Sequence, residues 1–147
     1  MGASGWIYFV PWQKDLSKAL ADLRDDVFAK GLYLGGHGKS VKGREAHSPR
    51  PKTIPEALER CGEDGSHSIL DVWEITTEPD YGAVAPLSPN DLEECFGTRL
   101  PSRGDVEESR EAMLEIEERR GRGCGSYLVV YEGTKPSEIC FFGTSGD

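Results

Sequence analysis

A chain of 147 residues, 37% of them hydrophobic and 29% charged, has the size of one domain and enough apolar side chains to bury a core, which excludes a wholly disordered polymer. Its formal net charge of −9 disfavours binding to duplex nucleic acid or to an anionic membrane surface, and no apolar run approaches the roughly 20 residues of a membrane span. The opening Met1-Gly2-Ala3-Ser4-Gly5 lacks the basic and apolar regions of a secretory signal, so a cytoplasmic location is the expectation.

Trp6-Ile7-Tyr8-Phe9-Val10 is aromatic and β-branched, ends at Pro11, and predicts a strand. From Lys14 to Lys30 the apolar residues Leu16, Ala19, Leu20, Leu23, Val27 and Phe28 fall at helical spacing, and Gly31 stops the pattern. Leu32-Tyr33-Leu34 reads as a short extended piece. Residues 35–52 hold glycines, Pro49 and Pro51 without periodicity, which predicts a long loop. That segment carries Lys39, Lys42, Arg44, Arg50 and Lys52 against Glu45 alone, a net of +4, and leaves −13 on the rest of the chain.

Thr53 stands three residues before Glu56 with Pro55 between, the signature of a capping box opening a helix to about Arg60. Ser68 to Thr76 reads as a strand. Ser88-Pro89-Asn90-Asp91 opens a short helix closed by Gly97, and Ser102 with Asp105 opens a longer, highly charged one to about Arg120. Ser126–Tyr131 and Ser137–Phe142 alternate as two strands around the hairpin loop Glu132–Pro136. The order predicts one α+β domain: a mostly antiparallel sheet of about four strands, helices on one face, and the long basic loop.

Gly35-Gly36-His37-Gly38-Lys39-Ser40 ends like a phosphate-binding loop. The glycine such a loop needs at its start falls on Tyr33, and no helix can follow through Gly43 and the prolines. A looser anion-binding loop remains, with Lys39 and Arg44 for charge and His37 for proton transfer. On a regular strand His67 and Asp71 share a face with Ile69, Trp73 and Ile75. They then lie roughly 13 Å apart, too far for a dyad, and Asp71 is left to pair or to orient a substrate. Trp6, Tyr8 and Trp12 share another strand face, and with Trp73 they would make either a stacking wall or an ordinary core. Cys61, Cys95, Cys124 and Cys140 are scattered with no Cys-x-x-Cys pair, so neither a disulfide framework nor a thiolate zinc site is expected, and no cofactor is implied.

Two readings follow. The first is a small acidic binding or regulatory protein, immunity- or inhibitor-like by charge and size alone. It would steer a basic protein partner with the carboxylates Glu107, Glu108, Glu111, Glu115 and Glu118, and the Tyr81–Leu87 stretch, with Val84, Pro86 and Leu87 exposed, would add an apolar anchor. The second is a small enzyme acting on an anionic, nucleotide-like substrate. There Lys39, Arg44, Tyr8 and Trp73 bind, and His37 and Asp71 do the chemistry.

Overall fold

The computed structural model describes residues 4–34 and 50–145. Its organising element is the longest strand, β5 (Lys135–Ser145), in which Ile139, Cys140, Phe141 and Phe142 are all fully buried. A strand points successive side chains to opposite faces, so four buried in a row require cover on both. The expectation of helices on one face is corrected accordingly.

On one face, Ile139 and Phe141 pack with Trp6, Leu20 and Val27 beneath α1 (Leu16–Lys30) and α2 (Ile54–Cys61). On the other, Cys140 and Phe142 pack with Leu128, Val106, Met113 and Ile116 beneath α4 (Arg103–Glu108) and α5 (Arg110–Arg120), and α3 (Pro89–Phe96) adds Leu92 and Phe96. No helix among the described residues is long and apolar enough to cross a membrane.

The sheet has five strands in the order β1-β5-β4-β3-β2. β1 (Ser4–Pro11) and β4 (Gly125–Glu132) run antiparallel to β5, whereas β3 (Ala83–Pro86) is parallel to β4 and β2 (Glu74–Ile75) is parallel to β3. The α+β class therefore stands, with a mixed five-stranded sheet in place of four mostly antiparallel strands. β3 is the added strand. Val84, expected in an exposed anchor, is fully buried there, and Leu87 is buried just beyond it. Four residues ending in proline are too few to show a period of two.

The expected strand from Ser68 to Thr76 is a second correction. Ile69, Leu70 and Val72 are all fully buried, which a half-buried alternating strand cannot achieve. The Ser68 hydroxyl instead accepts from Leu70 N at 3.2 Å and starts a 3-10 turn over Ile69–Asp71, so that pairing begins only at Glu74. Leu32–Leu34 is not a strand either: Tyr33 is buried, and Leu34 N donates to Ser66 O at 2.8 Å.

The local helix signals act close to where they stand. Asp15 accepts from Lys18 N at 3.0 Å, and Gly31, at φ 68°, closes α1. Thr53 accepts from Glu56 N at 3.2 Å, but the Glu56 carboxylate reaches one residue further back than a reciprocal box requires, to Lys52 N at 2.9 Å. Ser88 with Asp91 and Ser102 with Asp105 form complete capping boxes. The helix expected to run on to Arg120 breaks at Ser109. Its N–H bonds Val106 O, three residues back, and ends α4 in a tightened turn.

At the centre of the sheet Trp6 pairs with Gly143, which in turn pairs with Gly125 on the next strand. The buried indole covers both glycines. A Cβ at Gly143 would come within 2.6 Å of the ring, and one at Gly125 within 3.3 Å.

Candidate functional site

Beyond the 3-10 turn the chain exposes Trp73, and after β2 it exposes Tyr81, with 51% and 71% of their surfaces accessible. Exposed rings ordinarily sample several rotamers; these two are seated. Trp73 N donates to Gly82 O at 2.9 Å, and Gly82 N donates to Gly123 O at 2.8 Å, which aligns three backbone segments. The Trp73 ring lies over Gly82, where a Cβ would fall 2.2 Å from it, and Tyr81 lies over Gly123, where a Cβ would fall 2.5 Å away. Both glycines have positive φ, 75° and 79°, a conformation other residues rarely adopt. The two rings meet edge to face, their centroids 6.3 Å apart at an interplanar angle of 73°.

Trp73 borders two recesses. The larger, about 590 Å³, is lined by Phe28, Ile54, Pro55 and Leu58 with Arg24, Asp25 and Thr53. The smaller, about 160 Å³, lies against Tyr81 and is lined by Leu58, Glu63, Asp71 and the backbone of Gly62, Gly65 and Gly123. One is therefore mostly apolar with a cation and an anion at its wall, and the other is aromatic and acidic. Arg24 donates from Nη2 to Leu70 O at 3.1 Å, while its buried Nε has no hydrogen-bond partner among the described residues. Burial lowers the pKa of this guanidinium, against the opposing pull of Asp25 and Asp71.

Asp71 is tied down on both oxygens. Oδ1 accepts from Ser66 N at 2.7 Å, and Oδ2 accepts from the Ser145 hydroxyl at the end of β5. The carboxylate thus joins the 3-10 turn to the sheet. Asp71→Ala should cost about 1–3 kcal/mol, since it strands the Ser66 amide and the buried Ser145 hydroxyl; urea unfolding would measure this. Tyr8 belongs to the same neighbourhood. Its hydroxyl accepts from Ile69 N at 3.4 Å, and burial pushes its pKa up, with the Asp71 charge adding to the rise.

The residues singled out from sequence are therefore dispersed. Tyr8 tilts against Trp6 at 5.9 Å inside the core, whereas Trp73 pairs outside it with Tyr81. Trp12 lies beyond β1, exposed beside Val10 and Leu23. Asp71 and Trp73 share the smaller recess. His37, Lys39 and Arg44 lie outside the described residues. Of the neighbouring basic residues, Arg50 donates to Phe28 O at 2.8 Å and so caps the end of α1. Glu107, Glu108, Glu111, Glu115 and Glu118 are exposed on α4 and α5, across the sheet from Trp73, and Glu107 pairs with Arg103 at 2.9 Å. Glu63 and Arg24 are the residues that sequence reasoning missed, and Tyr81 entered it only as the start of the expected Tyr81–Leu87 anchor, of which it is the exposed ring.

A separate recess of about 450 Å³ lies along the C-terminal half of α5, lined by Gly5, Leu114, Glu117, Glu118, Arg122 and Thr144. Glu117 is only 2% exposed there, and its buried Oε2 has no hydrogen-bond partner among the described residues. The described residues contain no group of three or more His, Cys, Asp or Glu side chains arranged to hold a metal ion. No protein-family model matches the sequence, and comparison with curated proteins and with solved structures gives no significant match.

Proposed function

We propose that this chain is a binding protein that grips a basic protein partner, with Trp73 as the central anchor and Tyr81 beside it. The observation that carries the reading is the glycine seating of two exposed aromatic rings. A ring held in place before contact loses little conformational entropy on binding, and tryptophan and tyrosine are the side chains that most often dominate interface energetics. The apolar recess of about 590 Å³ next to Trp73 gives a partner's aliphatic or aromatic side chain somewhere to go. The net charge of −9, with Glu108, Glu111, Glu115 and Glu118 exposed on the far helices, draws a basic partner in from a distance and makes its association rate sensitive to salt.

The test is affinity capture from the source cell's extract at low salt, with wild type and a Trp73→Ser/Tyr81→Ser variant side by side. A basic protein retained by wild type and reduced at least about tenfold by the double substitution is the expected result, because each aromatic anchor is worth more than about 1 kcal/mol. Equal capture by both proteins would refute the aromatic face as the grip.

The second reading, an enzyme acting on an anionic, nucleotide-like substrate, draws on a different observation. Arg24 lines the larger recess, its Nε is unpaired among the described residues, and the volume suits a small ligand. Saturable binding of adenosine monophosphate that is lost in Arg24→Gln would favour it over the first.

A further inference from the structure

We infer that the smaller recess beside Trp73 and Tyr81 is a receptacle for a cationic side chain, the lysine ammonium or arginine guanidinium of a partner. The inference rests on the proposed binding function and adds the chemistry that one part of the face selects. Three features of the recess converge on a cation.

Two aromatic rings line it, Trp73 and Tyr81, in edge-to-face contact with centroids 6.3 Å apart, so a charge seated in the recess against the pair meets aromatic surface as well as carboxylate. Two carboxylates, Glu63 and Asp71, also line it. Asp71 is held by Ser66 N and the Ser145 hydroxyl, one donor to each oxygen, and a carboxylate oxygen has a second lone pair to offer. Finally, the volume of about 160 Å³ admits the end of one long side chain but not a folded segment.

An uncharged side chain would fill the same space without answering the carboxylates, and an anion would meet both of them. The larger recess differs: it is mostly apolar, and the opposite charges of Arg24 and Asp25 stand at its wall in place of a carboxylate pair. Arg24 also sets a limit. Its charge acts on Asp71 and offsets part of the negative field, so a single cation binds weakly, and the site contributes selectivity to a larger contact rather than affinity alone.

The experiment is a titration of the ¹⁵N-labelled full chain with N-acetyl-lysine methylamide, N-acetyl-arginine methylamide and the uncharged N-acetyl-norleucine methylamide, followed on the Trp73 indole N–H and the Gly65 and Gly123 amides. Both cationic probes should shift these signals saturably and bind at least about fivefold more tightly than norleucine, with the preference shrinking as sodium chloride is raised. Glu63→Gln should reduce the cation preference. Trp73→Leu, read on the glycine amides and checked for folding by its thermal melt, should weaken the cationic probes about tenfold.

Norleucine binding as tightly as lysine, or lysine shifting only the amides of α4 and α5, would overturn the receptacle. The capture experiment keeps the two ideas apart. A partner lost in the Trp73→Ser/Tyr81→Ser variant while the probes fail would leave the aromatic grip standing and remove the cation site. Probes that bind as described while capture is indifferent to the variant would remove the grip instead.

Discussion

A Gly143→Ala variant is expected to lose about 2–3 kcal/mol of stability, in the upper part of the usual range for overpacking a core. The added methyl would stand 2.6 Å from Trp6 Cζ2 and 3.2 Å from the Cys124 carbonyl oxygen. Neither neighbour yields cheaply. The indole is buried between the sheet and the α1 layer, and the carbonyl belongs to backbone leading into β4. Urea unfolding monitored by tryptophan fluorescence would give the difference in midpoint. A companion Gly133→Ala variant provides a contrast, because that glycine lies in the hairpin with open space around its Cβ position and only the positive-φ penalty, about 1 kcal/mol, should apply. Equal losses in the two variants would show that the Trp6 seat carries no special strain.

The second large effect is a pH dependence with the opposite sense to ordinary acid denaturation. Burial raises the Glu117 pKa to about 7, although the Arg110 guanidinium pulls it down, and Glu118 adds to the rise. In the unfolded chain the group ionises near the ordinary glutamate value of 4.5. Between those two values the folded protein holds a proton that the unfolded chain has released, so this group's contribution to stability falls as pH rises. It is least harmful below pH 4.5 and most harmful above pH 7.

The recess beside Glu117 admits solvent, and the full shift is discounted for it; the loss from pH 5 to pH 8 should be about 2 kcal/mol. Glu117→Gln, which cannot ionise, should remove that slope and be the more stable form at pH 8. Unfolding curves for both proteins at pH 5, 6, 7 and 8 isolate the effect, since every other titrating group is common to them. Parallel profiles for the two would mean that Glu117 ionises normally.

The parts of the fold legible in the sequence are those specified by neighbours along the chain. Asp15, Thr53, Ser88 and Ser102 each bond an amide three residues on, so their helices begin where the local signal places them. The sheet is different. β1 pairs with β5 across nearly the whole chain, and no local pattern encodes that choice. Ser68–Thr76 failed for a related reason. Its apolar residues suit a strand, but Ile69 and Leu70 are both drawn into the core between α1, α2 and the sheet, and the Ser68 hydroxyl, accepting from Leu70 N, starts the turn that allows it.

The candidate site was half visible. Trp73 and Asp71 stood out by residue type and Tyr81 as the start of an expected anchor, but the pairing of the two rings and their glycine seats did not. The fit depends on Gly82 and Gly123 meeting through a backbone hydrogen bond between segments far apart in sequence. The basic residues His37, Lys39 and Arg44 lie outside the described residues, and the site as drawn stands without them.

The place of β5 between β1 and β4 also sets a timetable for the nascent chain. Among the described strands β1 has no neighbour but β5, so its row of amides and carbonyls stays unpaired until residues 135–145 have left the ribosome. The two apolar faces of β1, Trp6 and Tyr8 on one side and Ile7 and Phe9 on the other, must wait as long for their partners across the strand. An amphipathic α1 can cover the first of these early, because it follows β1 at once in sequence. The Ile7 and Phe9 side has no such local cover, and it is there that a half-made chain exposes the surface most prone to find the wrong neighbour.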